Sequence, residues 1–177
     1  MKILIAIDPG KSGGIAYSLG TTCVSAIPMP ETDGDVLEHL QAIIAEANGE
    51  TVRAVIEEVG GFMGEDQPAS SAFNFGYRHG LCVGLLQASK VKIEFVRPQK
   101  WQKIFSLGKS GRRHAPPGAS EAERKEVQRQ NARLKTEWKN KLKETAQQLF
   151  PGMKVTLSTC DALLLVEYGR RAYGFYA

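Results

Sequence analysis

Cysteine is scarce in this sequence, and the three present are Cys23, Cys82 and Cys160. They are odd in number, far apart and in no spacing typical of metal ligands, which argues against a disulfide framework and against a zinc site. Free, buried thiols in a reducing, intracellular setting such as the cytoplasm are the simplest interpretation.

Long hydrophobic runs are also missing. The apolar stretch at residues 3–7 stops at Asp8-Pro9-Gly10, which is too short for the hydrophobic region of a signal peptide. No later stretch is long enough to cross a bilayer, so we expect no membrane partner. With 177 residues, 42% of them hydrophobic, the chain is expected to fold as one domain over residues 1–177.

Positive charge is concentrated in one part of the chain. Residues 107–145 carry eleven lysines and arginines against five acidic residues, whereas the whole chain has a net charge of only +4. The remainder is therefore slightly acidic. Such asymmetry favours a polyanionic partner, and the alternative is an ordinary solvated helix.

The hydrophobic pattern predicts an α/β fold that begins β-β-β-α-β. Gly34-Asp35 precedes the first helical pattern, with Asp35 as the predicted N-cap. A short helix is expected around Ile104 to Leu107, after the fifth strand. The predicted strands cover about residues 3–8, 13–17, 21–29, 51–59 and 92–97, and the longer helices about 35–47, 69–88, 121–150 and 161–173.

Acidic residues follow two of these strands and begin the last helix. Asp8 ends the first strand, Glu57 or Glu58 ends the fourth, and Asp161 precedes an apolar helix that must lie against the sheet. Carboxylate oxygens are the ligands that Mg²⁺ prefers, and two such cations can activate water for phosphodiester hydrolysis. Alternatively, Asp8 only begins a turn and Asp161 only caps a helix.

Two further features have alternative interpretations. Phe62 and Met63 lie in a Gly-rich loop, where they would contact DNA bases or fold back onto the core. Gly76, Gly80 and Gly84 form a smooth row on one helix. The row packs on the sheet or meets the same helix of a second protomer.

Gly-Lys-Ser at residues 10–12 and 108–110 raises the alternative of a nucleotide-binding loop. The glycine required upstream is Ile5 in one case and Lys103 in the other, which excludes a P-loop. Residues 8–14 also resemble the phosphate loop of sugar-kinase and actin-like phosphotransferases. Those proteins need two lobes, and this chain has room for only one.

Motifs spread over nearly the whole chain resemble the RuvC-type Holliday junction resolvases, especially their phage and plastid branch. In chain order they are IAIDPGKSGGIAY within residues 3–17, VIEEVGG at 55–61, SSAFNFGYRHG at 70–80, VRPQKW at 96–101 and DALLLVEYGRR at 161–171. The resemblance implies a ribonuclease-H-like fold. We expect a mixed five-stranded sheet flanked by helices, with a basic helical insertion at about residues 108–138.

The resemblance also implies a homodimeric endonuclease of the bacterial, phage or organelle kind that cleaves four-way DNA junctions in recombination, repair or phage DNA processing. It assigns catalysis and two Mg²⁺ or Mn²⁺ ions to Asp8, Glu57 and Asp161. Glu57 is preferred over Glu58 because it directly follows the Val55-Ile56 pair. Expected DNA contacts are Phe62, Met63, Lys109, Arg112, Arg113, Lys139, Lys141 and Lys143, and the expected dimer contacts are Phe73, Gly76, Gly80 and Gly84.

One departure from the family pattern is Ser158, which stands where the family usually has a further acid. Serine could hold a water but supplies no charge, so one cation binds weakly or Glu58 substitutes. This departure keeps open a second hypothesis, a non-catalytic module that binds branched DNA.

Overall fold

The computed structural model describes residues 2–21, 23–58, 69–108, 111 and 113–175. Its strands are β1 (Ile3–Asp8), β2 (Gly14–Leu19), β3 (Cys23–Pro28), β4 (Val52–Glu57) and β5 (Lys92–Val96). Its helices are α1 (Asp33–Ala45), α2 (Ala69–Ala88), α3 (Pro98–Lys103), α4 (Glu121–Leu149) and α5 (Cys160–Ala172). None of these helices combines the length and apolar character needed to cross a membrane.

The five strands form one mixed sheet in the order β3-β2-β1-β4-β5. β1, β2 and β3 are antiparallel neighbours, whereas β4 runs parallel to both β1 and β5. Because α1 connects β3 to β4 and α2 connects β4 to β5, the two parallel pairs form through helical crossovers. The predicted β-β-β-α-β order and the mixed sheet are confirmed.

Helices cover both faces of the sheet, and β1 is buried throughout. Ile3, Ile5 and Ile7 pack with the buried residues of α1 and α2. Leu4 and Ala6 face the opposite way and pack with α3, α4 and α5. This alternation follows from the two-residue period of a strand, and it explains why a central strand reads as a continuous apolar run.

Two local predictions were wrong. The hydroxyl of Thr32, not the carboxylate of Asp35, caps α1, because Thr32 Oγ1 accepts the backbone N–H of Asp35 at 3.1 Å. The short helix after β5 begins at Pro98 rather than near residue 104, since proline fits the first turn of a helix, where its missing N–H is not needed.

Helix α4 is far longer than the core it packs on. Its 29 residues span about 43 Å, and its buried residues, Leu142 and Ala146, both lie in the C-terminal half. A capping box between Ser120 and Glu123 holds the N-terminal end, with mutual hydrogen bonds of 2.8 and 3.3 Å. The polar N-terminal half is therefore largely exposed.

Candidate active site

Asp8 and Glu57 end adjacent parallel strands at the same edge of the sheet. The register pairs Ile7 with Ile56, so the two acids are the next residues on neighbouring strands, which lie about 4.8 Å apart in a sheet. By the alternation of side chains, both acids share the face of Leu4 and Val55, which packs on α5. Their positions at the ends of adjacent strands thus bring the two carboxylates together on one face of the sheet.

Asp161 joins them from the first turn of α5. Helix α5 packs closely on β1 at Gly169, where an added Cβ would lie 2.7 Å from Leu4 Cδ2. Asp161 is 7% exposed, and its Oδ2 accepts a hydrogen bond from the Lys139 ammonium on α4. An acid from α5 and a lysine from α4 therefore meet at the strand ends.

The turn after β1 is shaped around the Asp8 carboxylate. Asp8 Oδ1 accepts the backbone N–H of Gly10 at 3.2 Å, and Gly13 N donates to Gly10 O at 2.9 Å. A Cβ at Gly13 would lie 2.2 Å from the Asp8 carbonyl oxygen and 2.7 Å from Asp8 Cγ. No larger residue fits there, so the tight turn holds Asp8 in place.

The carboxyl groups of Asp8 and Glu57 ionise less readily than exposed carboxyl groups do. Burial, followed by repulsion from Asp8 and Asp161, raises the pKa of Glu57 to about 8, although the Trp101 indole N–H donates to its Oε2 at 3.0 Å. Burial, followed by repulsion from Asp161, raises the pKa of Asp8. Burial alone would lower the pKa of Lys139, but attraction to Asp161 and Asp8 outweighs it and the pKa is raised.

A cleft of about 280 Å³ opens beside the acids and is lined by Asp8, Ser158, Lys135 and Lys139, together with Gly10, Ser12, Gly13 and Leu157. Within the described ranges, no three acidic, cysteine or histidine side chains are gathered as closely as metal ligands are. The donor chemistry nevertheless fits a hard divalent cation, because carboxylate oxygens suit such an ion and the three carboxylates repel one another despite the nearby Lys139.

Of the two remaining candidate metal ligands, Ser158 lies beside Asp8 and Glu58 lies away from the cluster. Glu58 lies outside the cluster and accepts from Arg97 Nε at 3.0 Å, with 40% of its side chain exposed. Ser158 lines the cleft, and its backbone carbonyl packs so closely on β2 that a Cβ at Gly14 would be 2.7 Å from it.

The predicted DNA contacts are dispersed. Lys139 lies in the cluster, whereas Lys141 Nζ donates to the Leu107 carbonyl at 2.7 Å. Lys143 is half-buried on α4. Arg113 is docked on α4, because its N–H donates to Asn131 Oδ1 at 2.9 Å. Phe62, Met63, Lys109 and Arg112 lie outside the described residues.

The glycine row on α2 does not pack on the sheet of its own protomer. A Cβ at Gly76, Gly80 or Gly84 would meet nothing within 4 Å. Phe73 is 72% exposed on the same helix and stacks on Tyr77, with ring centroids 6.5 Å apart. Sheet packing, the first of the two interpretations, is therefore wrong, and the dimer stays a prediction.

Two residues beside the acids were not predicted to act there. Trp101 is fully buried and holds Glu57, and Lys135 lines the cleft one helical turn before Lys139. The signal that could have identified Lys135 is its spacing from Lys139, which was predicted, and from Leu142, since residues 135, 139, 142 and 146 share one face of a helix.

The sequence matches no protein-family model and no curated protein. The fold, however, is similar to that of solved RuvC structures. A structure titled "T. thermophilus RuvC in complex with Holliday junction substrate" is similar with a TM-score of 0.57 and 12% identity over 98% of this chain and 94% of that chain. Another, "Thermus thermophilus RuvC structure", has a TM-score of 0.51 at the same identity and coverage. The chain thus has the RuvC, ribonuclease-H-like fold that its motifs predict.

Proposed function

We propose that this protein is a structure-specific endodeoxyribonuclease that resolves four-way DNA junctions. The observation that supports this most directly is the coupling of Asp8, Glu57 and Asp161 at one sheet edge, with Lys139 among them. The similar RuvC structure contains a Holliday junction substrate, which supports branched DNA as the partner.

The three acids would hold the divalent cation, Mg²⁺ or Mn²⁺, with two ions per site as the working hypothesis. Such ions supply activation of water and stabilisation of the leaving oxygen in phosphodiester hydrolysis. Burial raises the pKa of Asp8 and of Glu57, and repulsion between the carboxylates raises both further; a bound cation would relieve that repulsion, which supports the assignment.

The chain's own groups prepare the site for a phosphate. Gly10 N–H and the tight turn at Gly13 fix Asp8, while Trp101 fixes Glu57. Lys139 is positioned to pass from the Asp161 carboxylate to a phosphate oxygen, where its positive charge would stabilise the transition state. Lys135, in the same cleft, adds a second positive charge on the path of the DNA.

Binding of the junction arms is assigned to the basic residues of the insertion at about residues 108–138. The N-terminal half of α4 is largely exposed and would present its arginine and lysine side chains to phosphates. A homodimer joined along the exposed row of Phe73, Gly76, Gly80 and Gly84 would place two such sites on one junction, as symmetric cleavage requires.

The experiment is incubation of an end-labelled four-way junction and of a matched linear duplex, with Mg²⁺ or with EDTA. We expect paired, symmetric nicks on the junction alone and with metal alone. Asp8→Asn should abolish nicking and retain junction binding, whereas Glu58→Gln, a change in the neighbouring acid outside the cluster, should retain both. Cleavage by Asp8→Asn would remove Asp8 from the mechanism.

The second candidate function is a non-catalytic module that binds branched DNA. It is favoured by one specific observation: Ser158 lies in the cleft where a further acid is expected, and Lys139 already neutralises Asp161. Tight junction binding by the wild-type protein without nicks in Mg²⁺ or Mn²⁺ would establish this function in place of the nuclease.

A further inference from the structure

The cleft beside the acids is lined by more positive than negative charge. Among the described residues that line it, Asp8 is acidic, whereas Lys135 and Lys139 of α4 are basic. Ser158 lies in the same lining and carries no charge, and Glu58 is held in an ion pair outside the cluster. Within the described parts of the chain, no fourth carboxylate therefore joins the three acids.

Lys139 is fixed where a cation would otherwise bind Asp161. Its ammonium pairs with Asp161 Oδ2, and 33% of its side chain is exposed, against 10% of the side chain of Asp161. Lys139 lies one helical turn before Leu142, which packs on the core, so the same face of α4 directs Lys139 toward α5. The ion pair is therefore part of the folded structure rather than a loose surface contact.

Both carboxylate oxygens of Asp161 already have donors. Oδ2 accepts from the Lys139 ammonium, and Oδ1 accepts from the buried thiol of Cys160 at 3.3 Å. A thiol is a weak donor, so the ammonium supplies most of the compensation for this buried carboxylate. A metal ion at Asp161 would have to displace Lys139.

Asp8 and Glu57 each keep one oxygen for a ligand. Asp8 Oδ1 accepts the backbone N–H of Gly10 at 3.2 Å. Glu57 Oε2 accepts the indole N–H of Trp101 at 3.0 Å. Asp8 Oδ2 and Glu57 Oε1 accept no hydrogen bond from the residues that the structure describes. Because the two acids end adjacent parallel strands, one cation could bridge these oxygens.

The charges of the cluster balance with one divalent cation. When ionised, the three acids and the Lys139 ammonium together leave a net charge of −2. One Mg²⁺ or Mn²⁺ would cancel this charge, whereas two would leave an excess of +2, to which Lys135 adds. Like charges repel most strongly where solvent screening is weak, so a second ion is disfavoured in this partly buried site.

We propose, resting on the junction endonuclease function, that the site binds one divalent cation between Asp8 and Glu57, and that the Lys139 ammonium at Asp161 replaces the second. This narrows the working hypothesis of two ions for this chain. From Asp161 the ammonium would reach a phosphate oxygen without a second ion.

The test is the number of Mn²⁺ ions bound per chain, measured by equilibrium dialysis and metal analysis, with Asp8→Asn as the background. Wild-type protein should bind about one ion. Ser158→Asp should still bind about one, because Lys139 keeps its place, whereas Ser158→Asp with Lys139→Met should bind about two. In the Ser158→Asp background, Lys139→Arg keeps the charge and Lys141→Met, the control, removes a lysine held by the Leu107 carbonyl. Both should bind about one ion, and folding of every variant is checked by circular dichroism.

Two measurements on wild-type protein do not depend on the folding of any variant. Two Mn²⁺ ions about 3.5–4 Å apart couple magnetically, so the electron paramagnetic resonance spectrum should be that of an isolated ion, with and without bound junction. At saturating junction, the nicking rate should rise with the first power of the Mn²⁺ concentration. A coupled spectrum or a second-power dependence would overturn the proposal.

The outcomes separate the two proposals. No nicking of any junction by the wild-type protein would overturn the endonuclease function, and the number of bound ions would still decide the role of Lys139. Nicking by wild-type protein that holds two ions would overturn the role of Lys139 alone. Two ions on Ser158→Asp, or the same number with and without Lys139→Met in that background, would also overturn it, since Lys139 would not be what excludes the second ion.

Discussion

Removing the charge of Glu57 should stabilise the metal-free protein, and the gain should grow with pH. An unfolded glutamate ionises near pH 4.5, whereas in the folded protein burial and repulsion from Asp8 raise the pKa of Glu57 to about 8. Between these two values the folded state holds one more proton than the unfolded state. The free energy of unfolding therefore falls as pH rises through this interval.

The magnitude follows from the same two pKa values. Their separation, at about 1.4 kcal/mol per pH unit, sets an upper limit of about 5 kcal/mol. Glu57 is only half-buried in the structure and retains part of its hydration, so we expect about half of that limit. Glu57→Gln does not titrate and keeps an oxygen that can accept from Trp101.

The assay is urea unfolding of wild-type and Glu57→Gln protein in EDTA at fixed values from pH 5 to pH 9. The two should have nearly equal free energies of unfolding at pH 5, and Glu57→Gln should be about 2–3 kcal/mol more stable at pH 9. Glu58→Gln is the control, because its exposed pair with Arg97 should contribute less than about 1 kcal/mol. A difference between wild type and Glu57→Gln that does not grow with pH would refute the reasoning.

Two other predictions concern neighbouring parts of the structure. Lys139→Met should lower the free energy of unfolding in urea by about 2–3 kcal/mol, because it removes the lysine that pairs with buried Asp161. Lys141→Met, the control, should lower it by less than half as much. Equal losses in the two variants would contradict the ion pair at the site. Gly80→Ala should stabilise α2 by up to about 1 kcal/mol, since nothing lies near the added Cβ. The same change should weaken any dimer formed along the glycine row. If analytical ultracentrifugation shows an unchanged dimer dissociation constant, the dimer contact lies elsewhere. Gly13→Ala should have the opposite effect and lower the free energy of unfolding by several kcal/mol, because its Cβ would lie 2.2 Å from a backbone oxygen.

Much of the fold could be predicted because local patterns and global packing agree. The alternation in β1 and the apolar run of α5 each identify an element, and acids after two parallel strands must meet at one edge. The start of α1 was harder to predict, since aspartate and threonine are both favoured N-caps and only the backbone geometry shows that Thr32 is the cap.

Lys139 was predicted as a DNA contact, but its pairing with Asp161 was not. Helix α4 is polar over most of its length, and the apolar pattern that fixes its rotation against the sheet is confined to its C-terminal half. Its rotation is set by buried Leu142 and Ala146, with half-buried Trp138 and Leu149 also packed on the core. This rotation turns Lys139 toward Asp161 and Lys141 toward Leu107. The same rotation places Trp138 in a groove that it lines together with Gln99, Gln102 and Lys103.

Ser158 carries no charge, but its backbone carbonyl packs closely on β2 and has a structural role there. Its carbonyl lies so close to β2 that Gly14 cannot be any other residue, and this contact holds the turn that leads into α5. Asp161 follows three residues later, so the backbone at Ser158 fixes the position of the acid whose side chain pairs with Lys139. A carboxylate at residue 158 would add a further negative charge beside Asp8, whose pKa is already raised by burial and by Asp161. With one lysine in the cluster, serine keeps that repulsion lower in the metal-free protein, at the cost of a weaker attraction for a second cation.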